Sequence, residues 1–119
     1  MKKSESLLWQ KIKKLNLKGQ IFRVESNTIN GIPDVFYLLR GNSFWIELKS
    51  NQSNNLGLSK YQFNWHLNHF KHGGRSFILR EGLAQSNVKT FQLFVIREPR
   101  NLVLVCEEPK LKDIFSKNF

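Results

Sequence analysis

Two carboxylates and one lysine have the types and the spacing that hydrolysis of a phosphodiester bond requires. Asp34 is followed thirteen residues later by Glu47 and then by Lys49. Carboxylate oxygens favour Mg²⁺ or Mn²⁺ over zinc, and a neighbouring lysine can position an attacking water or neutralise charge on the phosphate. If the fold brings these side chains together, they predict a metal-dependent phosphodiesterase site.

A β-hairpin is the element that must position these side chains. Two apolar segments, 34–39 and 43–49, flank a short polar stretch with a glycine, which is typical of a hairpin turn. If the loop is the two residues Arg40–Gly41, Asp34 lies directly opposite Glu47, and the lysine two residues further on shares their face. A three-residue loop would break this register unless a bulge restored it.

An exposed salt bridge across the two strands is the alternative interpretation. The strands, however, are apolar on both faces, so two facing carboxylates would repel each other and lose hydration unless a cation lay between them. The net charge of +10, from 19 lysines and arginines against nine acidic residues, independently predicts a polyanionic partner. We therefore prefer the metal site.

The same residues resemble a known family. Pro33–Asp34 with Glu47–Leu48–Lys49 resembles the PD-(D/E)xK nuclease signature, and with Gly31–Ile32 and Leu58–Ser59–Lys60–Tyr61–Gln62 it resembles VRR-NUC domains and archaeal-type Holliday junction resolvases. The resemblance covers about residues 5–79. It implies a single restriction-endonuclease-like α/β domain over residues 1–119, with a central mixed β-sheet flanked by helices.

The resemblance also implies roles for individual residues. Mg²⁺ (or Mn²⁺) would be bound by Asp34, Glu47 and the backbone carbonyl of Leu48. Lys49 would be catalytic, and Gln62 would support the site from its helix. Glu5 lies where the family often has a metal-site glutamate, although a glutamate in a first helical turn is also favoured by the helix dipole alone.

Several basic or polar residues are candidate contacts to a DNA backbone. The lysines would otherwise form a solvated helix face, and the histidine would belong to a polar helix face or, with His69, to a transition-metal pair. The candidates are Arg23, Ser26, Lys11, Lys14, Lys60 and His66.

The remaining pattern predicts an α/β order. Ser4 and Ser59 are candidate N-caps, and Gly73–Gly74 ends the second helix. The predicted helices are 4–17, 60–72 and 109–115, and the predicted strands are 20–25, 34–39, 43–49, 76–79, 88–96 and 102–106.

Composition limits the class of protein. The 119 residues suit one domain, and a hydrophobic content of 40% is sufficient for a core. The single cysteine, Cys106, excludes an internal disulfide, and the N-terminus lacks the apolar segment of a signal peptide. We expect a cytoplasmic protein of a bacterial or phage-infected cell, without a membrane partner.

Together these observations predict a Mg²⁺-dependent, structure-specific DNA endonuclease that resolves four-way junctions. Resolution of a four-way junction needs two symmetric cuts, and a two-fold homodimer supplies them. The apolar segment 91–106 is a candidate interface for this dimer. The alternatives are a flap, nick or duplex nuclease of the VRR-NUC type, and a non-catalytic DNA-binding module on the same fold.

Overall fold

A six-stranded mixed sheet forms the centre of the protein, with a helix at the N-terminus, one in the middle and one at the C-terminus. The computed structural model describes residues 3–25, 29–83 and 87–119. Its elements are α1 (Lys3–Lys13), β1 (Gln20–Arg23), β2 (Val35–Leu39), β3 (Asn42–Lys49), α2 (Lys60–Lys71), β4 (Ser76–Leu83), β5 (Lys89–Glu98), β6 (Asn101–Glu108) and α3 (Leu111–Asn118).

The strands follow one another in the sheet in chain order, from β1 to β6. Every neighbouring pair is antiparallel except β3 and β4, which are parallel. A parallel pair needs a crossover, and α2 provides it. The predicted fold class, an α/β domain with a mixed sheet flanked by helices, is thus confirmed.

The hairpin of β2 and β3 has the two-residue loop that the sequence predicts. Arg40 and Gly41 have φ angles of 52° and 80°, and Leu39 pairs with Asn42. Positive φ at both loop residues is the geometry whose twist matches that of the flanking strands. The register needed to bring the two carboxylates together is therefore present, and the three-residue alternative does not occur.

The two faces of the sheet carry separate cores. One face packs against α1 and α3, and the other packs against α2. The first core includes Leu8, Ile12, Ile46, Leu48, Leu79, Leu93 and Ile114, and the second includes Leu56, Leu58, Phe63, Leu67, Ile78 and Ile96. Burial on both sides explains why β3 and β4 are apolar on both faces.

Several boundaries differ from the predicted ones. β4 continues to Leu83 rather than ending at residue 79, because Arg80 and Glu81 pair with β5. α1 ends four residues earlier than predicted, and Asn16 beyond it has a φ of 49°. The third helix is Leu111–Asn118, displaced toward the C-terminus from 109–115.

The apolar segment 91–106 does not form one surface. β5 lies between β4 and β6, and its Phe91, Leu93, Val95 and Ile96 are buried in the chain's own cores. The predicted interface is therefore wrong for β5. The edge strand β6 does expose apolar side chains. No helix in residues 3–25, 29–83 and 87–119 is long and apolar enough to cross a membrane.

Gly31 joins the loop before β2 to the first turn of α2. Its φ is 82°, and a Cβ built there would lie 2.3 Å from the carbonyl oxygen of Tyr61. Only glycine allows this contact between two backbones.

We predict that Gly31→Ala lowers the free energy of unfolding by about 3 kcal/mol or more, because backbone strain and steric overlap add. Gly41→Ala is the matched control, since Gly41 also has a positive φ but a Cβ there meets nothing within 4 Å. Its cost should be about 1 kcal/mol. Urea unfolding of both variants measures the difference, and equal losses would contradict the close packing at Gly31.

Candidate functional site

Asp34 and Glu47 meet at the end of the β2–β3 ladder. Val35 pairs with Ile46, so Asp34 lies one step beyond this pair and opposite Glu47. The Asp34 carboxylate accepts a hydrogen bond from the Leu48 backbone N–H at 2.9 Å, and the Asp34 carbonyl accepts one from Val24 at 2.7 Å. These bonds fix Asp34 against both neighbouring segments.

The carboxyl group of Glu47 is almost completely buried, with 2% of the residue exposed. Burial is the main reason that its pKa is raised from 4.5 to about 10. A hydrogen bond with Asp34 and the charges of Asp34 and Glu5 raise the pKa further, whereas the charge of Lys49 lowers it. Burial and the neighbouring acidic groups therefore favour the protonated form of Glu47 in the free protein.

One oxygen of this pair has no partner among the residues that the structure describes. Oε1 of Glu47 is buried and forms no hydrogen bond within the described part of the chain. A buried acceptor without a partner is destabilising by about 1 to 3 kcal/mol. Such an atom, beside a second carboxylate, is the arrangement that a bound cation would stabilise.

Glu5 is brought to the same end of the sheet by α1. It lies in the first turn of the helix and is 7% exposed, and its charge acts on Glu47. Yet the residues described here contain no group of three or more His, Cys, Asp or Glu side chains that could hold a metal ion. Asp34 and Glu47 are therefore the two carboxylates available as a direct pair.

Lys49 lies on the same face as Glu47 and is also buried, with 9% of the residue exposed. Its Nζ lies 3.5 Å from Oε1 of Gln62. The same oxygen accepts a hydrogen bond from the backbone N–H of Ser59 at 2.9 Å, and the Ser59 hydroxyl accepts one from Gln62 N. This capping box begins α2 and places Gln62 beside Lys49, where the sequence predicts it.

His66 does not lie on a DNA-accessible surface. Its ring is fully buried, Nδ1 lies 2.8 Å from the Ser76 hydroxyl, and Nε2 has no partner among the described residues. Burial, with smaller contributions from His69 and Lys49, lowers the pKa of His66 to about 3. The prediction that His66 contacts DNA is wrong, because this face of α2 packs against the start of β4.

The other predicted DNA contacts are more dispersed. Arg23 pairs with Glu25 at 3.2 Å, and Lys60 lies exposed at the start of α2 beside the ring of Tyr61. Ser26 lies outside the described residues.

A basic cleft lies beyond the end of β3. It has a volume of about 460 Å³ and includes Ser50, the residue that follows Lys49. Lys11, Lys14 and Lys89 line it, and Lys11 is paired with Glu81. Lys14 and Lys89 form no ion pair within the described part of the chain. Both predicted lysines of α1 thus face the same cleft, with Lys89 as an addition from β5.

Sequence reasoning missed Arg80 and Gln92. Arg80 is the direct neighbour of Lys49 on the adjacent strand, and its Nε donates a hydrogen bond to Gln92 Oε1 at 2.7 Å. In the sequence, the two adjacent charged residues Arg80 and Glu81 resemble the end of a strand, so the predicted strand ends at residue 79. The polar residues at every second position, Arg80 on β4 and Thr90 and Gln92 on β5, were the available signal.

Comparison with protein-family profiles and with curated proteins finds no match to this chain.

We predict that Glu47→Gln stabilises the protein and weakens its dependence on pH. With a folded pKa of about 10 against 4.5 unfolded, the favourable contribution of neutral Glu47 is complete below pH 4.5. It is lost as the pH rises toward 10, by up to about 1.4 kcal/mol per unit. The variant should match the wild type at pH 5 and exceed it by about 2 kcal/mol or more at pH 8.

Thermal unfolding across this range measures the effect, at about 4 to 8 °C per kcal/mol for a domain of this size. Glu98→Gln makes the same chemical change at an exposed position and should shift stability by no more than about 0.5 kcal/mol. Parallel pH profiles for Glu47→Gln and the wild type would show that Glu47 ionises normally.

Proposed function

We propose that this protein is a Mg²⁺-dependent DNA endonuclease of the PD-(D/E)xK type that acts on branched DNA, with four-way junctions as the preferred substrate. The observation that carries the proposal is the pairing of buried Glu47 with half-buried Asp34 beside Lys49, with Oε1 of Glu47 unpartnered among the described residues. A stability role does not account for this arrangement, because burial of Glu47 beside a second carboxyl group is unfavourable without a cation.

The residues present fit a hard divalent cation. Asp34 and Glu47 offer carboxylate oxygens, and Mg²⁺ is commonly held by one or two carboxylates because it keeps several waters. The absence of a three-residue ligand group among the described residues is compatible with this mode of binding. The family resemblance adds the Leu48 carbonyl and Glu5 as proposed ligands, although the described residues do not group Glu5 with the two carboxylates. When bound, the metal would activate water and stabilise charge on the phosphate.

Lys49 would act on the phosphate from the same face. Its charge already reaches Glu47, and Gln62 restrains its Nζ through the contact at 3.5 Å. A fixed positive group in a buried setting stabilises charge that develops in a transition state more strongly than a solvated one does. Gln62 is therefore a positioning residue in this proposal.

A nucleic acid fits the electrostatics of the surroundings. The net charge of +10 attracts a polyanion, and the cleft that begins at Ser50 adds Lys14 and Lys89, which form no ion pair among the described residues. Contacts of this kind bind the phosphate backbone and carry no sequence information. The proposed enzyme therefore recognises the shape of DNA, which agrees with a branched substrate.

The edge strand β6 supports a homodimer. Val103, Leu104 and Val105 are 39%, 52% and 45% exposed and consecutive. A β-bulge interrupts the ladder at Val105, since Leu93 pairs with Cys106 and Phe94 with Leu104. A bulge hinders continuation of the sheet into another chain. We therefore propose that a second copy packs on these side chains, which would supply the second cut of a junction.

Cleavage assays test the proposed function directly. Purified protein should cut a labelled four-way junction in Mg²⁺ faster than duplex, flap or forked DNA.

Asp34→Asn should abolish cutting and leave binding unchanged or tighter, because it removes a metal ligand and a negative charge near the phosphate. Faster cutting of flaps or nicks would favour the VRR-NUC-type alternative. Wild-type cleavage by Asp34→Asn would refute the metal site, and binding without cleavage by the wild type would indicate a non-catalytic module.

Light scattering tests the dimer. The wild type should have twice the mass of the 14.0 kDa chain, and Leu104→Lys should be monomeric because a charge would be buried in the interface. Val88→Lys is the control, since Val88 is equally exposed at 57% but precedes β5. If the wild type is monomeric and stays monomeric on junction DNA, cleavage of the junction by two subunits of a homodimer is excluded.

A further inference from the structure

A row of polar side chains crosses the sheet from Lys49 to its far edge. Lys49 is paired in register with Arg80, Arg80 with Gln92, and Gln92 with Glu107. These positions share the face that packs against α2. Neighbouring strands are about 4.8 Å apart, so Arg80 begins one strand away from the proposed catalytic lysine.

The guanidinium group of Arg80 is fixed at one end. Its Nε donates to Gln92 Oε1 at 2.7 Å, and the group lies over the ring of Phe94 at 5.4 Å. Gln92 is itself held, because its Nε2 donates to Glu107 at 2.8 Å. Thr90 donates to the same Glu107 oxygen at 2.8 Å. The plane of the guanidinium is therefore set by a chain of residues that are not part of the Asp34–Glu47 pair.

The other end of the group is available. Among the residues that the structure describes, the two Nη atoms of Arg80 form no hydrogen bond or ion pair. Glu107 accepts its hydrogen bonds from Gln92 and Thr90 instead. The charge of Glu107 acts on Arg80, but Nη atoms without an acceptor in a partly buried setting are unfavourable in the free protein.

Gly82 keeps the space beside Arg80 open. A Cβ on Gly82 would lie 2.8 Å from Nε2 of Gln52 and 3.4 Å from Cδ and Nε of Arg80. The missing side chain lets the arginine stem and the amide of Gln52 lie side by side over β4. The Arg80 guanidinium and the Gln52 amide are thus two hydrogen-bond donors over β4, the strand next to the one that carries Lys49.

We propose that the Nη atoms of Arg80 bind a phosphate of the DNA strand that is held at Lys49. This inference rests on the proposed nuclease function and adds a substrate-binding residue to it. A planar guanidinium with two free nitrogens matches two phosphate oxygens, and such paired bonds are stronger and more directional than those of an ammonium group. The fixed Nε edge would orient the two free nitrogens before DNA arrives.

Binding at several salt concentrations tests the contact apart from cleavage. The measurements use the full chain with Asp34→Asn, so that a labelled four-way junction stays intact during anisotropy titrations between about 50 and 200 mM salt. Adding Arg80→Gln should weaken binding by about tenfold and reduce the slope of log K against log salt by about 0.9, the value for one phosphate contact. Adding Lys112→Gln removes an equal charge from exposed α3, on the opposite face, and should change neither quantity.

Arg80→Lys separates charge from geometry. It should keep the salt slope and still weaken binding several-fold, because the second bond to the phosphate is lost. Thermal unfolding of each variant establishes that it is folded, and if Arg80→Gln is not, Arg80→Lys decides the matter. Wild-type affinity and slope in the folded Arg80 variants would overturn the proposal and leave the nuclease function intact. Absence of DNA binding by the parent protein would overturn both.

Discussion

The two-residue turn at Arg40–Gly41 is the constraint on which the rest of the proposed site depends. Its positive φ angles set one register for β2 and β3, with Asp34 beside Glu47. A shift of one residue would turn Glu47 and Lys49 toward α1 and α3 and replace apolar contacts there with charges. One short stretch of backbone therefore decides on which side of the sheet the proposed chemistry is possible.

Burial has opposite effects on folding and on the proposed function. It raises the pKa of Glu47 and leaves one of its oxygens without a partner in the described part of the chain, which weakens the free protein. The same low-dielectric setting strengthens the attraction of that oxygen for a cation. Arg80, on the adjacent strand, is a positively charged group whose Nη atoms have no partner among the residues that the structure describes. In natural proteins, polar groups that lack hydrogen-bond partners occur mainly at functional sites. Here two such groups, Oε1 of Glu47 and the Nη atoms of Arg80, belong to residues on neighbouring strands.

Features that depend on neighbouring residues could be predicted from the sequence, and those that depend on distant partners could not. The hairpin register and the Ser59 cap follow from a few adjacent residues, and both are confirmed. Helical spacing places His66 on a polar face of α2 but does not reveal which strand that face covers. An apolar strand within a sheet and one at an interface have the same sequence pattern, so the pattern of β5 cannot distinguish the two. Arg80 was missed because its partner, Gln92, lies twelve residues away on another strand.

Oε1 of Gln62 links the first turn of α2 to the position of the Lys49 side chain. It accepts the N–H that begins α2 and also contacts the Nζ of Lys49. First turns of helices open and close far more often than whole domains unfold. Each opening at Ser59 withdraws the Gln62 contact from Lys49, so this contact lasts no longer than the turn stays closed. The lifetime of a single helical turn therefore sets an upper limit on how long Gln62 can position the lysine.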